Sequence, residues 1–137
     1  MRKISLSLNA AAAAAVLTLF AGSAFAHHSY IMFDRDRKIT VDGTIAKLEW
    51  QNPHVWVWAY VANDKGGFDL WGFESGSVNA LARRGWRQGF LKTGEKMKIE
   101  LYPLKNGEHG GYFIKGTRPD GSVIESDEPI GLQAGQS

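Results

Sequence analysis

The sequence predicts a mainly β domain, a small closed barrel of five strands with one short helix between strands three and four. Three observations support this prediction. Short runs of alternating, β-branched or aromatic residues recur between turn-forming pairs. The first run shifts its alternation by one residue, as a bent strand does. One segment, residues 77–85, has the apolar spacing of a helix instead.

The first predicted strand extends from Ile39 to Trp50. Apolar and polar residues alternate up to Ile45, and after it the apolar positions move by one. This shift indicates a β-bulge, which bends a strand so that it serves two parts of a barrel. Gly43 lies near the shift, where a missing side chain eases the bend.

An Asn52-Pro53 corner follows, because proline fixes its own φ and keeps the preceding residue out of the helical region. The second strand, residues 54 to about 61, has β-branched or aromatic residues on both faces. The sequence Asn63-Asp64-Lys65-Gly66-Gly67 predicts a hairpin turn into a third strand, residues 68 to about 74.

The helix predicted for residues 77–85 has Ser77 as its N-cap and Gly85 as a left-handed stop. A turn at 93–95 leads to the fourth strand, where apolar and charged residues alternate until Pro103.

The fifth strand covers residues 112 to about 117, and a turn at 118–122 precedes a further short strand at Val123-Ile124. The order of elements is that of an OB-like fold, a small Greek-key barrel. An open antiparallel sheet or a sandwich is the alternative.

The N-terminus has the three parts of a secretory signal peptide: the positive pair Arg2 and Lys3, an apolar run over 4–20, and Ala24-Phe25-Ala26 as a cleavage site. The alternative, a membrane anchor, lacks a charged stop-transfer flank. We therefore expect export to the periplasm and no membrane anchor after cleavage. The expected parts are a signal peptide over 1–26, a mature arm over 27–38, the barrel domain over 39–130 and a flexible tail over 131–137.

Cleavage after Ala26 removes two positive charges, which lowers Lys+Arg from 16 to 14 against 14 Asp+Glu. A neutral domain with charges of both signs lacks the basic footprint of a nucleic-acid-binding protein, so no nucleic-acid partner is expected. The chain has no cysteine, which excludes disulfides, thiolate chemistry and cysteine-ligated metals.

Several short segments, taken together, resemble a known family. They are His27-His28-Ser29-Tyr30, Gly43-Thr44-Ile45, Trp50-Gln51-Asn52-Pro53-His54, Gly85-Trp86, Leu91-Lys92-Thr93-Gly94-Glu95 and Pro103-Leu104. The combination is similar to small exported bacterial proteins of domain-of-unknown-function family 6152, over nearly the whole mature chain. The resemblance implies a periplasmic, OB-like β protein and supplies no activity.

His27 and His28 are the first candidate metal ligands. Cleavage would give His27 a free α-amine beside its ring nitrogen, and the amide and ring of His28 could add two more nitrogens. Copper(II) prefers such tetragonal nitrogen ligation and leads the divalent affinity order. His54 at the Asn52-Pro53 corner or His109 in the loop at 107–110 could complete a site resembling a histidine brace. The alternative is a solvated chain end, with the other two histidines bonded to the protein.

Tryptophans form the second candidate site. Trp56, Trp58 and Tyr60 share one face of strand two, and Trp71 and Phe73 share one face of strand three. Because a hairpin joins these strands, the two faces could merge. Ligands bind OB-folds on the face of strands two and three, where exposed Trp56, Trp58 and Trp71 would stack on sugars, bases or other flat molecules. If they are buried, the same side chains are simply core.

The sequence has no H-E-x-x-H zinc motif and no nucleophile elbow, and its carboxylates form no clear acid/base pair. These observations favour a protein that binds a metal ion or a small ligand over an enzyme. Copper at the mature N-terminus is the leading hypothesis, and a metal-free ligand-binding module is the alternative. A histidine-brace oxidase would also need an open coordination position and a substrate groove.

Overall fold

The computed structural model describes residues 31–127, and the elements named next lie in the unit that begins at Phe33. The elements are β1 (Ile39–Glu49), β2 (Trp56–Ala62), β3 (Phe68–Glu74), α1 (Val78–Arg83), β4 (Lys96–Pro103), β5 (Gly110–Thr117) and β6 (Val123–Glu125). Their order is the predicted one. In this described stretch no helix has the length and apolar character needed to cross a membrane.

The sheet closes into a barrel. Its strand order is β3-β2-β1-β4-β5-β6, and a further parallel pairing joins β3 to β5. The other neighbouring strands pair antiparallel. Strands β1 to β5 therefore form a five-stranded barrel, with β6 added outside it on β5. This confirms the OB-like prediction, and the open-sheet alternative is wrong.

The bend of β1 lets one strand border two others. Residues 39–44 pair with β4, and residues 43–49 pair with β2. The register with β2 shifts between Ile45 and Lys47, which confirms the bulge predicted from the change in alternation. Gly43 takes part in both pairings, and a Cβ there would approach Ile99 and Ala59 to 3.0 and 3.1 Å.

Two consecutive glycines permit the closure between β3 and β5. Gly110 pairs with Gly72, and a Cβ on Gly110 would lie 2.4 Å from the Gly72 carbonyl oxygen. Gly111 pairs with β3 on one side and β4 on the other, and its Cβ would lie 2.1 Å from the Tyr102 carbonyl oxygen. Strand β5 thus begins at Gly110, two residues before the predicted start at Tyr112.

One end of the barrel is closed by α1 and the segment after it. Ser77 caps the helix by accepting a hydrogen bond from the Ala80 N–H at 3.2 Å, as predicted. Leu81 is fully buried, and the indole Nε1 of Trp86 donates to the Glu125 carbonyl at 2.9 Å. Leu81 of the helix and Trp86 of the following segment thus pack into the core, and Trp86 anchors β6.

The corner between β1 and β2 is tied to the start of α1. The Asn52-Pro53 peptide bond is cis, and the Asn52 side-chain oxygen accepts a hydrogen bond from the Val78 N–H at 3.2 Å. Strand β2 begins at Trp56, two residues later than the sequence predicted. Val55 precedes it, and its N–H donates to the Gly76 carbonyl at 2.9 Å.

We expect Gly111→Ala to lower the free energy of unfolding by about 3 kcal/mol, because the added methyl group meets a backbone carbonyl that moves only if the β4–β5 ladder distorts. The measurement is the midpoint of urea denaturation. Gly67→Ala is the matched control, since its Cβ would make only ordinary contacts with Asn63, at 3.6 Å and beyond. We expect a change within about 0.5 kcal/mol for the control. Equal midpoints for the two variants would contradict this account of the closure.

Candidate functional site

The aromatic residues of β2 and β3 lie on opposite faces of the barrel wall. Val57 and Ala59 of β2 are buried, so Trp56 and Trp58, which alternate with them, face outward. Directly paired residues share a face, and Trp58 pairs with Gly72 whereas Ala59 pairs with Trp71. The two aromatic faces therefore do not merge. The hairpin register, which the sequence did not specify, places the Trp71 side of β3 inward.

The rings of Trp56 and Trp58 stack on each other, which leaves little of either ring surface free for a ligand. Their rings stack at 5.8 Å between centroids, with 22° between the planes. Trp58 also lies over Gly72, where a Cβ would come within 2.8 Å of the ring, and the Lys47 ammonium lies 5.4 Å from its centroid. Both tryptophans are half-buried. This pair acts mainly as packing on the outside of the wall.

The Trp58 indole also borders an ion pair. Lys47 and Glu49 form a salt bridge beside it on β1. The pKa of the Glu49 carboxyl is lowered, mainly by the Lys47 ammonium and to a smaller extent by the Trp58 N–H. The buried Nε1 of Trp58 nevertheless has no hydrogen bond of ordinary geometry to any residue of the described chain. These contacts hold the ring in place over the strand.

The exposed part of the outer face lies further along the strands, at Tyr60, Phe68 and Leu70. Their exposed fractions are 48%, 68% and 47%. Tyr60 pairs directly with Leu70, and Phe68 pairs with the next outward residue of β2, Ala62. The three side chains are neighbours on one surface, which we call the outer-face patch. A groove of about 690 Å³ extends from it toward β4 and the turn after β5.

Sequence reasoning missed Phe68 and Leu70 because it gave most weight to the tryptophans. A signal was present, however. Phe68 and Leu70 occupy even-numbered positions, whereas Trp71 and Phe73 occupy odd-numbered ones, so the apolar alternation of β3 shifts by one residue between Leu70 and Trp71. In a strand, such a change places apolar side chains on both faces. One set had to lie outside the core.

His109 and Trp71 form a separate cluster. The imidazole stacks on the indole at 5.0 Å between centroids, with 5° between the planes. His109 Nδ1 lies 3.4 Å from Asp69 Oδ2, and Asn63 Nδ2 donates to the other Asp69 oxygen at 3.0 Å. Asn63 and Asp69 thereby fix the orientation of the ring on the indole. Trp71 is thus covered by His109 and is not part of the outer-face patch.

His54 contacts the other end of β3. Its Nδ1 lies 3.2 Å from the Ser75 carbonyl oxygen and 3.4 Å from the Glu74 carboxylate. Glu74 is a buried carboxylate, and this imidazole is one of its neighbours. His54 therefore contributes to the structure of the corner, joining it to the end of β3.

The structure does not bring His54 and His109 together. Their partners Glu74 and Asp69 are five residues apart on β3, which corresponds to about 16 Å. Within residues 31–127 no group of three or more His, Asp or Glu side chains is placed to hold a metal ion. His27 and His28 lie outside the described residues, so the arrangement at the N-terminus stays a prediction.

Comparison with known proteins gives one finding. A family model described as "Family of unknown function (DUF6152)" matches residues 14–113. No curated protein and no solved structure matches the chain. The matched residues include β1, β2, β3, α1 and β4, the strands and helix that carry the outer-face patch and its supports. The match covers well over half of the chain, which therefore belongs to the DUF6152 family of unknown function.

Proposed function

We propose that this protein is a metal-independent binding module that takes a flat, largely apolar ligand on the outer-face patch. The observation that carries the proposal is the adjacent exposure of Tyr60, Phe68 and Leu70 on the wall of a closed barrel. Contiguous apolar surface rimmed by polar residues is typical of a binding site. The β2–β3 face is also where OB-folds bind ligands.

The patch is built on a rigid support. Val61 and Ala59 alternate with Tyr60 on β2 and are buried in the barrel, so the strand beneath the patch is held by the core. A preorganised surface loses little conformational entropy when a ligand binds. Aromatic side chains add large contact area, and their ring faces stack on planar groups. The patch therefore favours binding of a flat molecule rather than of a flexible one.

The proposed role is binding rather than catalysis. The patch side chains are a phenol, a phenyl ring and an isobutyl group, and the nearest polar side chain across the β1–β2 pairing is Thr44. These groups supply contact area and hydrogen bonds but do not form an acid/base pair. We further propose that the protein acts in the periplasm, because its first 26 residues have the pattern of a secretory signal peptide.

Phe68→Ser tests the patch. The probe is N-phenyl-1-naphthylamine, a neutral flat molecule whose fluorescence rises in apolar surroundings. We expect the substitution to weaken its binding about tenfold or more, since losing the contact of one buried aromatic ring corresponds to about 1.5 kcal/mol or above. Because Phe68 is exposed in the free protein, the free energy of unfolding should change by less than about 0.5 kcal/mol.

Val123→Ser is the matched control for this experiment. Val123 is 53% exposed, comparable with the patch residues, but lies on β6 outside the barrel. We expect this variant to bind the probe as the unchanged protein does. Equal loss in the two variants, or full binding by Phe68→Ser, would remove the patch as the binding site.

Copper binding at His27 and His28 is a second hypothesis, and the position of His27 directly after the predicted cleavage site favours it. It is independent of the outer-face patch. The nitrogen donors it needs are the free amine and ring of one terminal residue together with its neighbour. His54 and His109 are further candidate ligands, and each would have to leave its carboxylate partner at 3.4 Å to join the site through Nδ1.

A titration with Cu(II) tests the copper hypothesis. The chain that begins at His27 is compared with a chain carrying one extra alanine before it. We expect the extension to weaken copper binding at least tenfold, because it converts the terminal amine beside the His27 ring into an amide. Mass spectrometry of protein recovered from the cell envelope establishes the first residue. Equal affinities, or a mature chain that starts elsewhere, would end the hypothesis.

A further inference from the structure

The groove beside the outer-face patch joins an apolar end to a basic one. Phe68 and Tyr60 line one end, and Lys96, Lys98 and Arg118 line the other. The two ends lie on the outside of the barrel, across β1 from each other. A ligand lying along the groove would therefore contact aromatic rings and positive charges at once.

The strand register fixes how these ends are aligned. Thr44 on β1 pairs with Tyr60 on one side and with Lys96 on the other, and Tyr60 pairs in turn with Leu70. Lys96, Thr44, Tyr60 and Leu70 thus form one row across four strands of the outer face. Neighbouring strands lie about 4.8 Å apart, so the backbones of Lys96 and Tyr60 are about 10 Å from each other. The Thr44 hydroxyl lies between the two.

The basic end retains one positive charge that is not neutralised. Lys98 forms a salt bridge with Asp42 at 2.9 Å, and Arg118 forms one with Glu95. Lys96 has no ion pair with any residue between positions 31 and 127. Asp42 is the one carboxylate that lines this groove in the described chain. The groove therefore has a single free ammonium group at the end of the row that starts at the patch.

From this arrangement we infer that the ligand is a small aromatic anion, a flat ring system bearing one carboxylate, sulfonate or phosphate group. The inference rests on the proposed function of the outer-face patch and adds the charge of its ligand. The ring system stacks on Tyr60 and Phe68, and the acidic group lies near the Lys96 ammonium and the Thr44 hydroxyl. Both groups donate hydrogen bonds to an anion.

A single unpaired cation also argues against a polyanionic ligand. Binding of a nucleic acid strand requires several basic groups that neutralise successive phosphates. Here two of the three basic side chains in the groove are already paired within the protein. One charge beside a flat apolar surface fits a ligand with one acidic group.

The test compares two probes that differ in charge. One is the anion 8-anilinonaphthalene-1-sulfonate and the other is its neutral relative N-phenyl-1-naphthylamine, each titrated by fluorescence at low ionic strength. We expect Lys96→Gln to weaken binding of the sulfonate three- to fivefold, the range of an exposed ion pair, and to leave the neutral probe unchanged. Added salt should reduce the affinity of the unchanged protein for the sulfonate.

Lys105→Gln is the control, because Lys105 is an exposed lysine in the loop between β4 and β5, away from the groove. It removes the same charge from the protein and should leave both titrations unchanged. If Lys96→Gln has no effect on the sulfonate, or if the control has the same effect, the inference is wrong.

Phe68→Ser separates this result from the proposed function. We expect it to weaken both probes. If it weakens both while Lys96→Gln weakens neither, the patch stands as a binding site and the anionic ligand is refuted. If Phe68→Ser weakens neither probe, the proposed function fails as well.

Discussion

The parallel contact between β3 and β5 is the constraint on which the rest of the structure depends. Without it, the six strands would form one open sheet, and the outer face of β2 and β3 would lie beside a free edge. The contact requires a backbone carbonyl of β3 and one of β4 to approach β5 where Gly110 and Gly111 have no side chains. Closure leaves each strand with two faces of fixed character, one packed inside and one exposed.

That fixed character explains why the candidate site differs from the one the tryptophans suggest. Once Val57 and Ala59 face the core, Trp56 and Trp58 must face outward, where they stack on each other and on the strand beside them. Trp71 faces the opposite way and is covered by His109. The exposed apolar surface is instead formed by Tyr60, Phe68 and Leu70, at the other end of β2 and β3. Tryptophan content alone does not indicate an exposed binding site, because a large ring also covers backbone well.

The sequence predicted the fold more fully than the site. Bounds of β3, the cap at Ser77 and the bulge after Ile45 follow from local patterns, and the structure confirms all three. The register between β2 and β3 depends on the hairpin and the core together, so the alternation within each strand did not reveal which faces would coincide. Contacts between distant segments, such as His109 on Trp71, have no local pattern at all.

The short strand β6 has a consequence for how other molecules are recognised. It lies outside the closed barrel and, within residues 31–127, has an unpaired edge of only three residues on the side away from β5. Segments that template cross-β stacking need about six or seven residues, and a charged side chain such as Glu125 opposes such growth. Main-chain addition by a foreign peptide at β6 would therefore form only a short ladder. Recognition at β6 would then depend mainly on side chains, and exchanges at a few surface positions would alter it without disturbing the barrel.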